Sequence, residues 1–289
     1  MKGIILAGGT GSRLFPITMA ISKQLMPIYD KPMIYYPISV LMLAGIREIL
    51  VITDGENEKN FKKLLGDGSQ FGVKFFYEVQ KKPEGLAQAF IIGEKFIGKD
   101  DVCLILGDNI FRGQGFGKIL ESAKNFVKNE KKGKIFGYAV KNPEQYGVLE
   151  FDEDGNVLSI EEKPKNPKSK YSVPGIYFYP NDVIEITNNL KKSERGEYEI
   201  TDVSRGFLKQ NRLKVDILPS GYEWFDTGTH KSMMEASKYI EILEERQGIK
   251  IACLEEIAFK KGWVDKDLLK KQIEKMKNSS YGEYLQKII

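Results

Sequence analysis

A short apolar run at residues 3–7 leads directly into Gly8-Gly9-Thr10-Gly11-Ser12-Arg13. Three glycines let backbone N–H groups come close to a phosphate, and the two hydroxyls and the Arg13 guanidinium add further donors. The chemistry such a loop suits is the holding of a polyphosphate. The dinucleotide fingerprint fits only as Gly9-x-Gly11, with Leu14 where its third glycine belongs, and the P-loop pattern fails because no Gly-Lys-Ser/Thr follows. A tight turn with incidental glycines is the plain alternative. Downstream, Lys23 sits in Ser22-Lys23-Gln24-Leu25-Met26-Pro27, a segment with neither helix nor strand period, where a lysine is ordinarily solvated.

Two carboxylates occupy informative places. Asp108 follows the apolar run Val102-Cys103-Leu104-Ile105-Leu106, and ligand crevices open at the carboxyl ends of parallel strands. Asp226, in Trp224-Phe225-Asp226-Thr227-Gly228-Thr229, also follows a strand-like run and precedes a helix. Each reads equally as a cap of the next segment or as a ligand of one hard cation. Glu161-Glu162-Lys163-Pro164, Arg195-Gly196-Glu197 and Tyr146-Gly147 are by themselves ordinary edge and loop sequences.

What is scarce narrows the chemistry further. The chain of 289 residues has one histidine, His230, and two cysteines, Cys103 and Cys253. A Ser-His-Asp or Cys-His mechanism would have to run through that one imidazole, and a structural zinc site would lack ligands. Any metal is therefore oxygen-bound, and magnesium bridging phosphate oxygens is the natural candidate. Two distant cysteines without a C-x-x-C point to a reducing compartment. Residues 1–7 are too short an apolar run for a signal peptide, and none approaches the roughly 18 residues of a membrane span, so a cytoplasmic location is expected. Forty-four Lys and Arg against 40 Asp and Glu leave +4, which a basic cleft accounts for without a nucleic-acid surface.

These residues need a scaffold, and the periodicity predicts an α/β one. Strands are expected at 3–7, 48–53, 73–79 and 102–106. Helices are expected from Pro32 to Gly45, around Phe61, Leu64 and Leu65 as far as Gly66, and over residues 85–96. After about residue 134 the register changes. Runs at 148–151 and 157–160 flank the turn dipeptide Asp154-Gly155, with a strand at 171–179, a helix at 201–209 and a strand at 213–218. Residues 231–246 carry Met233, Met234, Ala236, Ile240 and Leu243 at amphipathic spacing, and the charged remainder reads as helical.

Taken together, Leu6-Ala7-Gly8-Gly9-x-Gly11-x-Arg13-Leu14 and Ser22-Lys23-Gln24 resemble the sugar-nucleotide pyrophosphorylases. The resemblance tightens to their glucose-1-phosphate thymidylyltransferase branch with Asp30-Lys31-Pro32-Met33, Tyr77-Glu78-Val79-Gln80, Gly85-Leu86-Ala87-Gln88-Ala89 and Leu106-Gly107-Asp108-Asn109. Gly147-Val148-x-Glu150-Phe151, Glu161-Glu162-Lys163-Pro164, Gly196-Glu197-x-Glu199-Ile200-Thr201-Asp202 and Trp224-x-Asp226-Thr227-Gly228-Thr229 follow in order along nearly the whole chain. Phe225 stands where leucine is common, and the charged set is intact.

The resemblance implies a single domain over 1–289: a Rossmann-like, mostly parallel central sheet with helices on both faces, a sugar-binding lobe and a helical C-terminal region. That is the nucleotide-diphospho-sugar transferase fold. Its parts would be a nucleotide half at about 1–133, a sugar-phosphate half at 134–229, and 230–289 for assembly and regulation. By position, Leu6, Gly8, Gly9, Thr10, Gly11, Arg13, Gln24, Gln80, Pro83 and Gly85 would bind dTTP, with Gln80 and Gly85 reading the thymine edge. Lys23 would neutralise phosphate oxygens, and Asp108 and Asp226 would hold Mg2+. Asn109, Tyr146, Gly147, Glu162, Val173, Lys163 and Arg195 would take glucose 1-phosphate, the last two gripping its phosphate. Arg13, Lys23, Lys163, Asp108 and Asp226 would be the catalytic set. The products would be dTDP-glucose and pyrophosphate, the assembly a homotetramer, and dTDP-rhamnose an inhibitor at a second site in residues 245–260. A uridylyltransferase acting on a hexose 1-phosphate and a non-catalytic sugar-nucleotide sensor stay open as alternatives.

Overall fold

The computed structural model describes residues 1–289 and is a mixed α/β protein with a large central sheet, as the sequence led us to expect. It comprises two compact units. Met1–Leu6, Lys82–Leu106 and Arg112–Trp224 form the first, and Ala7–Lys81, Gly107–Phe111 and Phe225–Ile289 the second. Strand order in the sheet departs from chain order, and the chain enters each unit more than once.

In the first unit, residues 2–6 of the strand Lys2–Ala7 pair in parallel with Val102–Leu106. Residues 102–105 are 0% exposed, which explains why that strand reads as an unbroken apolar run: both of its faces are covered. Ile176–Tyr179 lies antiparallel to Val102–Leu106 and to Gly133–Ala139. Gly133–Ala139 also takes Leu213–Ile217 in parallel. Gly147–Phe151 and Val157–Glu162 form the expected hairpin around Asp154-Gly155, with Glu162 opposite Gly147.

Two expected elements are interrupted. The strand expected over 171–179 is two pieces, Tyr171–Ser172 and Ile176–Tyr179, because Pro174 has no N–H to give a ladder. The helix expected over 85–96 is Gln88–Ile92 followed by Glu94–Ile97, broken at Gly93, where helix propensity is poor.

In the second unit, Glu48–Thr53 runs parallel to Lys74–Val79. The helix Glu58–Leu65 buries Phe61 and Leu65 and stops at Gly66, whose φ of 58° is left-handed. The helix expected to open at Pro32 opens instead at Tyr35. Lys31–Pro32 pairs antiparallel with Pro27–Ile28, and the proline inside the first helical turn is Pro37, where an N–H would lack a partner in any case. His230–Gln247 follows the expected amphipathic stretch and buries Met233, Ala236 and Ile240, while Met234 is turned outward, 74% exposed. Leu254–Lys260, Lys266–Met276 and Ser280–Lys287 complete the C-terminal helices, with Cys253, Leu269, Ile273, Tyr281 and Leu285 packed together.

Cys103 and Cys253 are buried free thiols, and His230 is an exposed residue at a helix start. No helix is long and apolar enough to cross a membrane.

Candidate active site

The glycine loop belongs to the second unit. Gly9 and Gly11 have φ of 102° and 60°, the left-handed region that side chains disfavour. Thr18 closes the loop from below, its hydroxyl donating to the Gly11 carbonyl at 2.8 Å. Gly8 is closely approached instead: a Cβ there would lie 2.5 Å from Oε1 of the buried Gln80. Thr10 and Arg13 are exposed, while Leu14 is 1% exposed and anchors the turn that carries Arg13. Gln24 sits beneath the surface, 1% exposed, with its amide oxygen accepting from the Ser22 hydroxyl at 2.6 Å.

Asp108 caps no helix, because the element after it is the strand Asn109–Arg112. Its carboxylate receives the Lys23 ammonium on one oxygen and the Asn109 amide, at 3.1 Å, on the other. Burial opposes the charge of Asp108, but the Lys23 ammonium and these hydrogen bonds outweigh it and hold the carboxyl below the usual range. The carboxylate is therefore ionised at neutral pH. Asp226 ends the strand Glu223–Asp226, and the cap of the following helix is Thr229, which exchanges hydrogen bonds with Ser232 in a capping box. The capping alternative thus fails for both aspartates. Thr227 joins their segments, donating its N–H and its hydroxyl to the Asp108 carbonyl at 3.1 and 2.7 Å.

No group of three or more His, Cys, Asp or Glu residues is clustered for a metal. Two carboxylates with only oxygen donors fit a hard cation that takes its remaining ligands from water and phosphate, as magnesium does, and do not fit zinc.

The first unit holds the other set. Pairing of Glu162 with Gly147 brings those two residues together, and Thr201 donates its hydroxyl to Glu162 at 2.5 Å. A Cβ on Gly147 would press on the Thr201 hydroxyl at 3.0 Å. The Lys163 N–H donates to the Tyr146 carbonyl at 2.9 Å, and the Val173 N–H to the Gly147 carbonyl at 2.8 Å. Lys163 adopts φ of 46°, unusual for a lysine, which turns the exposed chain out of the strand at that point. The Tyr146 ring packs on Trp224 with centroids 4.9 Å apart. Arg195 is 40% exposed and borders three carboxylates, Glu199 at 2.8 Å, Glu197 at 3.3 Å and Glu162 at 3.8 Å. Also in this unit are Leu6 at a strand end, exposed Pro83, and Gly85, with φ of 102° and the Tyr198 backbone where a Cβ would project.

The second unit therefore gathers Gly8, Gly9, Thr10, Gly11, Arg13, Lys23, Gln24, Gln80, Asp108 and Asp226, and the first gathers Tyr146, Gly147, Glu162, Lys163, Val173 and Arg195. Asn109, expected with the sugar-phosphate set, lies with Asp108 in the second unit. Sequence reasoning assigned no role to Thr227, Gly228 or Thr201. Only the quoted motifs around Asp226 and Glu199 pointed at their neighbourhoods.

Residues 2–242 match the family described as nucleotidyl transferase. The chain is 54% identical to a glucose-1-phosphate thymidylyltransferase of Neisseria meningitidis, covering 100% of this chain and 99% of that one. It is 53% identical, with the same coverage, to one from Mycobacterium tuberculosis. Among solved structures, one assigned as a glucose-1-phosphate thymidylyltransferase of Bacillus anthracis, in complex with sucrose, is 42% identical with a TM-score of 0.76, over 83% of this chain and 94% of that one. A UDP-glucose pyrophosphorylase complexed with UDP-glucose is 26% identical with a TM-score of 0.73, over 84% and 98%.

Proposed function

Because the chain belongs to the nucleotidyl transferase family, we propose that it is a glucose-1-phosphate thymidylyltransferase, joining dTTP and glucose 1-phosphate into dTDP-glucose with release of pyrophosphate. The observation that carries this reading is the reach of the similarity. At 54% identity it runs over 289 residues, 100% of this chain, and is not confined to one motif.

A phosphate oxygen of glucose 1-phosphate attacks the α-phosphorus of dTTP in line, and the bond to pyrophosphate breaks as the new one forms. A phosphate monoester has a second pKa of about 6, so the nucleophile is already largely ionised at neutral pH and needs no general base. That suits a chain whose one histidine is exposed. The obstacle is repulsion between two anions, which cationic side chains answer by positioning and charge stabilisation. Arg13 and the loop N–H groups hold the triphosphate, Lys23 neutralises phosphate oxygens, and Gln80 and Gly85 read the thymine edge. Lys163 and Arg195 grip the sugar phosphate, while Tyr146, Gly147, Glu162 and Val173 surround the sugar. Asp108 and Asp226 would hold magnesium, which would supply positive charge at the phosphate oxygens. The enzyme works in the cytoplasm as a homotetramer, and residues 245–260 bind dTDP-rhamnose as an inhibitor.

Glucose 1-phosphate carrying 18O in its phosphate tests the route. Retention of all the label in dTDP-glucose, with unlabelled pyrophosphate released and the reaction stopped by EDTA, is expected. Label in pyrophosphate, or full activity in EDTA, contradicts it.

A further inference from the structure

The tripeptide Asp226-Thr227-Gly228 does more than carry one carboxylate. Thr227 is 0% exposed and places both of its donors on one acceptor, the Asp108 carbonyl. Its hydroxyl has a single proton and two acceptors in reach, the carbonyl at 2.7 Å and the Met33 sulfur at 3.2 Å. The shorter contact to the harder acceptor takes the proton, and the thioether, a weak acceptor, serves as packing. The two hydrogen bonds fix the backbone of Asp108 against the residue next to Asp226.

Gly228 continues the arrangement. A Cβ on it would lie 2.4 Å from Arg13 Nη2 and 2.9 Å from Arg13 Cζ, so the guanidinium rests on the bare glycine. One residue later, Thr229 caps the helix His230–Gln247, which holds the downstream end of the tripeptide still. Three consecutive residues thus set the place of Asp226, of Asp108 and of Arg13, all within the second unit.

We infer that Thr227 and Gly228 are positioning residues: Thr227 sets the spacing of the two carboxylates that receive the divalent cation, and Gly228 keeps open the surface on which Arg13 lies to meet the triphosphate. The inference rests on the thymidylyltransferase reading above. Outer residues of this kind typically change metal affinity by about 10–100-fold when removed.

The test uses the full chain with Mn2+ as the probe, its binding followed by electron paramagnetic resonance in the presence of dTTP, alongside thermal melting and steady-state kinetics. Thr227→Val keeps the shape and the backbone N–H but loses the hydroxyl. It should weaken Mn2+ binding by about tenfold or more, with kcat recovering as metal is raised and the glucose 1-phosphate KM little changed. Thr227→Ser, which restores the hydroxyl, should regain most of the Mn2+ affinity. Gly228→Ala should weaken dTTP binding in wild-type background, yet add little to Arg13→Ala, because both remove the same contact.

Unaltered Mn2+ affinity in Thr227→Val, or equal losses in the Ser and Val variants, overturns the role of Thr227. Additive losses for Gly228→Ala and Arg13→Ala overturn that of Gly228. Should Thr227→Val fail to fold, the Ser variant and the Gly228 cycle still decide. Absence of Mn2+ and dTTP binding by the unaltered protein would instead refute the enzyme reading itself.

Discussion

Lys31 and Glu244 meet at 2.8 Å with side chains 2% and 1% exposed. Glu244 also receives the Lys250 ammonium and the Ile251 N–H, each at 2.8 Å, and both lysines reach Asp30. This network ties the turn before the first long helix of the second unit to the exit of His230–Gln247. Removing one partner strands a buried charge, a loss of about 3–5 kcal/mol. Glu244→Ala should lower the unfolding free energy by about that amount in urea titrations, and a Lys31→Met/Glu244→Leu pair should cost less than the sum of its single changes. Full additivity would mean that the two side chains do not act as a pair.

The same network sets an acid limit. Burial pushes the Asp30 carboxyl up, but the Lys31 and Lys250 ammonium groups more than compensate and leave it below the ordinary value. A carboxyl depressed in the folded state binds protons more readily when unfolded. Its contribution is therefore complete above the unfolded value of about 3.9 and is lost as pH falls towards the lower folded value. Unfolding free energy measured from pH 6 down to pH 3 should drop, and Asp30→Asn should be less stable at pH 6 with a flatter decline. A steeper decline in that variant would reverse the assignment.

Much of this was legible in the sequence, for physical reasons particular to each element. The strand Val102–Leu106 announces itself because a strand covered on both faces must be apolar throughout. Phe61 and Leu65 before Gly66 mark a helix and its left-handed stop. Pro32 misled, since proline suits a first helical turn and an edge strand alike, and only the partner Pro27–Ile28 decides between them. Asp226 read equally as cap and ligand until Thr229 was seen to hold the cap. The Gly8–Gln80, Gly228–Arg13 and Thr227–Asp108 contacts join residues 72, 215 and 119 apart, the differences between their numbers, and no local pattern encodes such pairs.

The two sets of site residues predict separable kinetics. Lys163→Ala and Arg195→Ala should raise the glucose 1-phosphate KM or lower kcat and leave dTTP binding nearly unchanged, whereas Arg13→Ala should damage handling of the triphosphate. Arg195→Lys keeps the charge and loses the forked geometry, so it should recover only part of the loss. Initial rates with each substrate varied in turn would show this. Weakened dTTP binding in Lys163→Ala with glucose 1-phosphate spared would exchange the two assignments.

Thymidylyl transfer itself is tested most directly by incubating the protein with glucose 1-phosphate, magnesium and each nucleoside triphosphate in turn, and measuring pyrophosphate and the nucleotide sugar. dTTP should give the highest kcat/KM and yield dTDP-glucose. UTP should follow within roughly tenfold, since a methyl group is worth about 1 kcal/mol. A preference for UTP, or no pyrophosphate from any nucleotide that binds, would contradict the account.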